Sequence, residues 1–104
     1  MSLGRSLCYI LFVVSMNAIS GEKYSYIPPS GLVPDEETAI KIAEAIFIPI
    51  YGKDKIKQEY PLTTTLSDGI YTVTGTLPKG LKGGVALAEI AKDDARIIRV
   101  SHGK

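Results

Sequence analysis

The sequence predicts an α+β domain in which one long N-terminal helix packs on a four-stranded antiparallel meander. Three observations predict it. Apolar residues recur at three- and four-residue steps over 34–52, the period of one helix face. From Pro61 the period changes to two, the period of a strand. The runs with period two are joined by short turn-forming links, Asp68-Gly69 and Asp93-Asp94-Ala95, which favour pairing between neighbours in the chain.

The first 20 residues read as a segment apart from this domain. Arg5 supplies a positive start, Leu7 to Val14 a short apolar core, and Ala18-Ile19-Ser20 before Gly21 a small-x-small pattern. That is the layout of a cleavable signal peptide. The apolar run is too short to be a stable anchor. Cys8 precedes the apolar core instead of following it, which argues against lipidation. Cys8 is also the only cysteine, so a chain starting at Gly21 has no disulfide. Only Arg5 of the twelve Lys and Arg lies before Gly21, while all eleven Asp and Glu lie after it. The remainder is formally neutral, which argues against nucleic acid or an anionic membrane as the main partner.

Residues 21–33 read as an extended lead-in. Pro28-Pro29 favours polyproline geometry and Ser30-Gly31 a turn, and the tyrosines at 24 and 26 are expected to pack on the domain. In the helix at 34–52, Asp35 is the expected N-cap, with Glu36 and Glu37 where the dipole favours negative charge. Ala39, Ile42, Ala43, Ile46 and Ile50 form the expected apolar stripe, with Glu37, Lys41 and Glu44 opposite. Pro49 predicts a kink or early end, Ile50-Tyr51-Gly52 a separate turn, and Gly52 a left-handed close. Lys53 to Glu59 is charged around a single Ile56 and reads as a further helical turn or a loop.

Leu62 to Leu66, Asp68-Gly69 and Ile70 to Leu77 read as a hairpin. A two-residue turn pairs Leu66 with Tyr71 and Thr64 with Val73. It gathers Leu62, Leu66, Tyr71, Val73 and Leu77 on one face and leaves a threonine-rich face to water. Gly75 falls on the apolar face, where it admits another backbone or marks a bulge. Pro78 to Gly84 reads as a flexible loop. The last strands are Val85–Lys92 and Arg96–His102. A three-residue link pairs Ile90 with Ile98, Ala88 with Val100 and Glu89 with Arg99, and makes a face of Ala86, Ala88, Ile90, Ile98 and Val100. It requires positive φ at Ala95, at a cost of about 1 kcal/mol. A two-residue turn would avoid that strain but set Glu89 beside Ile98.

Residue chemistry excludes most catalytic classes. The glycines at 80, 83 and 84, flanked by Lys79 and Lys82, lead into a strand, whereas phosphate loops lead into a helix. His102 is the only histidine and reads as structural or exposed. Ser101 beside it points to the opposite face. Asp93-Asp94 lacks calcium-loop spacing, and no ligand set predicts a metal. No carboxylate falls on the predicted core face of the strands. Tyr51, Tyr60 and Tyr71 read as core or rim residues. No cofactor is expected.

Pro34 to Ile46, continuing through Pro49-Ile50-Tyr51-Gly52, resembles the bacterial NTF2-fold immunity proteins of polymorphic toxin systems. So do Asp68 to Leu77, Gly83-Gly84-Val85-Ala86 and the ending Arg99-Val100-Ser101-His102-Gly103-Lys104. Two positions depart from the family pattern: Phe47 stands where members tend to carry tryptophan, and Ala95 where they tend to carry glycine. A full NTF2-like cone needs more elements than residues 21–104 supply. The resemblance therefore implies a reduced NTF2-like or cystatin-like fold over 34–104. It implies an antidote without catalysis, which binds a cognate toxin or effector protein and blocks it sterically. With the signal peptide, it implies a periplasmic protein with no membrane anchor after cleavage. Tyr51, Lys79, Leu81 and Lys82 are the expected partner-binding residues, since interfaces favour aromatic and charged anchors on an exposed patch. Two other readings compete: an inhibitor or binding module of the periplasm unrelated to a toxin operon, and a carrier of a small apolar ligand between helix and sheet.

Overall fold

The structure, a computed structural model, describes residues 26–103. Within them the order is α1 (Glu36–Tyr51), α2 (Lys53–Lys57), β1 (Thr63–Ser67), β2 (Ile70–Thr74), β3 (Ala86–Ala91) and β4 (Ile97–His102). The strands form one antiparallel sheet in the order β1-β2-β3-β4. This is the helix on a four-stranded meander that the sequence predicts. The signal-peptide reading, Cys8 and Tyr24 lie outside the described residues.

Local chemistry sets the helix start. The Asp35 carboxylate accepts from the Thr38 N–H at 2.8 Å and the Thr38 hydroxyl at 2.6 Å. These bonds, the hydroxyl's first, hold its carboxyl below the ordinary aspartate range. At the other end the prediction fails in part. α1 runs through Pro49 to Tyr51, so there is no early end and no separate 50–52 turn. The proline removes only the donor to Ala45, and the helix ends two residues later. Gly52, with φ 96, closes it by donating to the Ile48 carbonyl at 2.9 Å.

The buried line of α1 is Ala39, Ala43 and Phe47, with Tyr51 partly packed behind them. Each four-residue step turns this line by about 40° around the axis. Ile50, which simple spacing places on the stripe, is left outside at 57% exposure. Beneath lie Tyr71, Val73, Ala86, Ala88 and Ile90, all buried. Burial, aided by the charges of Asp35 and Glu36, pushes the Tyr71 phenol up.

Four further expectations are corrected. Leu66 (48% exposed), Ile98 and Leu77 lie outside the core. A helix is about 10 Å across, while four strands at about 4.8 Å spacing put their outer axes roughly 14 Å apart. α1 covers the two central strands, and the outer members of the Leu66–Tyr71–Ile90–Ile97 row stay uncovered. Leu77 follows the end of β2 and has left the ladder. Tyr26 is exposed. The lead-in is held instead by buried Val33, and by Leu32 and Val33 N–H groups donating to the carbonyls of Asp93 and Lys92 at 2.9 and 3.0 Å.

The first hairpin turn follows the sequence reading; the second keeps positive φ at Ala95 but not the three-residue link, since the Ala91 N–H donates to the Arg96 carbonyl and leaves 92–95 as the connection. Asp68 and Gly69 have φ of 51 and 73, and Leu66 pairs with Tyr71 and Thr64 with Val73. Ala95 has φ 65. Ala88 pairs with Val100 and Glu89 with Arg99, but a bulge shifts Ile90 from Ile98 to Ile97. Ala95→Gly is expected to stabilise the protein by about 1 kcal/mol, by removing the cost of a Cβ in the left-handed region. Urea unfolding measures it, and an unchanged midpoint would show that this turn holds no strain.

Candidate functional site: a cationic cleft at the end of the sheet

α2 extends α1 by one short turn and buries Ile56. It delivers Glu59, only 3% exposed, to the inner face of the sheet. The Glu59 side chain lies across Gly75, where a Cβ would come within 2.5 Å of its Oε1. Gly75 therefore admits a side chain, not another backbone. Glu59 Oε1 accepts from the Ala86 N–H at 2.8 Å, and Oε2 lies 2.7 Å from His102 Nε2. The Glu59 carbonyl accepts from the Thr76 N–H at 2.7 Å.

His102 thus has a structural role, with both ring nitrogens engaged. Nδ1 is 2.8 Å from the Gly103 carbonyl, which can only accept, so Nδ1 carries a hydrogen. Nε2 is taken by Glu59 Oε2 on the other side of the ring. Neither nitrogen is presented to a substrate as a free base. The ring packs against Tyr51, with centroids 5.0 Å apart and planes inclined at 56°. Tyr51 in turn meets Phe47 at 6.2 Å.

Above this pair is an open cleft of about 530 Å³ lined by Tyr51, Lys55, Lys82, Gly83, Gly84, His102 and Gly103. Its rim owes its shape to a close backbone approach. A Cβ on Gly84 would fall 2.2 Å from the Gly103 Cα, so only glycine fits there. The preceding loop contains one hydrogen-bonded turn. The Leu81 N–H donates to the Pro78 carbonyl at 3.1 Å, with Gly80 at φ 83, in a turn that leaves Lys79 and Leu81 exposed.

The structure therefore brings Tyr51 and Lys82 together in one cleft. Lys79 and Leu81 sit on the adjoining turn and do not line it. Sequence reasoning missed Lys55 and Glu59 and gave His102 no place in the site. The one signal for Glu59 was Gly75, marked as a position of close approach. Among the described residues no group of three or more His, Cys, Asp or Glu converges as a metal site. No helix among them is long and apolar enough to cross a membrane.

The family model described as NTF2 fold immunity protein matches residues 38–104, which take in α1 from Thr38 onward, α2, all four strands and the cleft. The chain belongs to this family. Its sheet and single packed helix agree with the NTF2-like fold in reduced form. The chain is also 35% identical over 74 residues to the uncharacterized protein YhhH of Escherichia coli (strain K12), an overlap of 70% of this chain and 58% of that protein. It thus spans less than two thirds of that relative's length. No solved structure matches.

Proposed function

We propose that this is an exported immunity protein, which binds a cognate toxin in the periplasm and neutralises it by steric blocking. The family membership of residues 38–104 carries the reading. The N-terminal pattern of Arg5, the apolar run to Val14 and Ala18-Ile19-Ser20 supports export and cleavage before Gly21, leaving 21–33 as lead-in and 34–104 as the immunity domain. The blocking face is the cleft and the adjoining turn, where Tyr51, Lys79, Leu81 and Lys82 offer aromatic, aliphatic and cationic anchors. Catalysis has no part in it: the engaged ring of His102 gives no free base. The apolar-carrier reading gains no support, because Phe47, Tyr71, Val73 and Ile90 fill the space between helix and sheet.

The test is protection from the toxin encoded beside this protein, with fractionation and pull-down from envelope extracts. The protein is expected in the periplasmic fraction, bound to that toxin. Lys79→Glu with Lys82→Glu is expected to weaken capture by about tenfold or more, as reversal of interface charges does, without changing the melting temperature. Unchanged capture would remove the turn from the interface. Recovery in the cytosol, or failure to protect, would end the exported-antidote reading.

A further inference from the structure

We propose that the cleft is a carboxylate-receiving subsite, so that the toxin's contact there is an acidic side chain. This rests on the neutralisation reading and names the chemistry of the partner. Three observations carry it.

The first is uncompensated charge. Lys55 and Lys82 both line the cleft and are exposed. Among the described residues neither forms an ion pair. The second is the state of the one carboxylate beneath the cleft. Glu59 is buried, and its two oxygens are taken by the Ala86 N–H and by His102 Nε2. Neither oxygen forms an ion pair with Lys55 or Lys82, which leaves both ammonium groups facing the cleft open to an anion. The third is room. Gly83, Gly84 and Gly103 contribute backbone alone, and the Tyr51 ring forms an apolar wall for the methylene stem of a glutamate or aspartate. A low-dielectric wall beside two like charges concentrates their attraction on one anionic group. A positively charged or merely apolar anchor would leave the lysines opposed or desolvated without a partner.

The test is an NMR titration of the purified protein with blocked tetraglutamate, with tetraglutamine and inorganic phosphate as separate arms. Tetraglutamate is expected to shift Tyr51, Gly83, Gly84 and His102 saturably, while tetraglutamine does not. Affinity is expected to fall about tenfold between roughly 50 and 300 mM salt, as screening shortens the reach of the two ammonium groups. Lys55→Gln with Lys82→Gln is expected to abolish the shifts and keep the melting temperature. The subsite is overturned if tetraglutamate gives no saturable shift, if tetraglutamine matches it, or if the double variant binds unchanged. Phosphate binding more tightly than tetraglutamate would overturn the assignment to a protein carboxylate. The two readings fail separately. A protein that binds tetraglutamate but gives no protection sinks neutralisation alone, and one that protects but ignores tetraglutamate sinks the subsite alone.

Discussion

Glu59→Ala is expected to cost about 2–5 kcal/mol, since it strands two polar partners at roughly 1–3 kcal/mol each and leaves a void. Small domains lie at the low end of the usual stability of about 5–15 kcal/mol, so this variant should be largely unfolded well below the wild-type melting temperature. Truncation strands two groups at once. The Ala86 N–H loses its 2.8 Å acceptor at the head of β3, and His102 Nε2 loses its 2.7 Å partner at the end of β4. A void opens above Gly75. Glu59→Gln should recover most of the loss. Its amide oxygen can still accept from Ala86, and its NH₂ can donate to a neutral imidazole that keeps hydrogen on Nδ1. Urea unfolding read by circular dichroism decides between these outcomes. A cost under about 1 kcal/mol for the alanine variant would show that the pair does not hold the sheet end together.

The same geometry predicts coupling with Gly75. In the wild type an alanine Cβ there meets Glu59 Oε1 at 2.5 Å and its Cβ at 2.9 Å. Glu59 cannot swing away without breaking its bonds, so Gly75→Ala should cost about 1–3 kcal/mol, the range for overpacking. With Glu59→Ala already made, the same methyl enters the vacated space and should cost little. The double variant should therefore be more stable than the sum of the singles predicts by about 1 kcal/mol or more. Strict additivity would mean that Glu59 and Gly75 do not share this space.

Features set by neighbours in the chain were legible in the sequence. Asp35 caps through Thr38, three residues away. Asp68-Gly69 makes a two-residue turn because those residues accept positive φ. Ala95 was identified as strained from its position in a three-residue link. What escaped depends on width or on distance along the chain. Period two places Leu66 on the inner face, but no periodicity says that one helix is too narrow to cover four strands. The bulge that moves Ile90 from Ile98 to Ile97 is a property of two strands together. Half of the expected anchors, Tyr51 and Lys82, line one cleft, because helix end and glycine loop are each visible locally. The Glu59–His102 pair joins residues 43 apart, and Glu59 stands in a charged stretch where every side chain looks solvated.

Phe47→Ala is expected to cost about 4–5 kcal/mol, the upper part of the range for truncating a buried phenylalanine. Cavity cost depends on how far the neighbours can close in, and four of the residues in this core have almost no side chain to do it with. Ala39 and Ala43 precede Phe47 on the buried line of α1, and Ala86 and Ala88 lie in the sheet beneath. Alanine has no rotamer to swing into a void, and α1 is held by its Asp35 cap and the Gly52 closure. Closing the gap would require the whole helix to move against the sheet. Ile56→Ala makes the control. Ile56 is equally buried, but it sits on a five-residue helix that can shift, so its cost should fall near the low end of about 2–5 kcal/mol for an aliphatic truncation. Loss of the Phe47 ring also removes the 6.2 Å contact that braces Tyr51 over His102. Phe47→Leu, which keeps most of the volume, should retain a cooperative transition and the cleft. A Phe47→Ala protein that unfolds no more easily than Ile56→Ala would show that the helix settles onto the sheet, and that small residues do not fix its height.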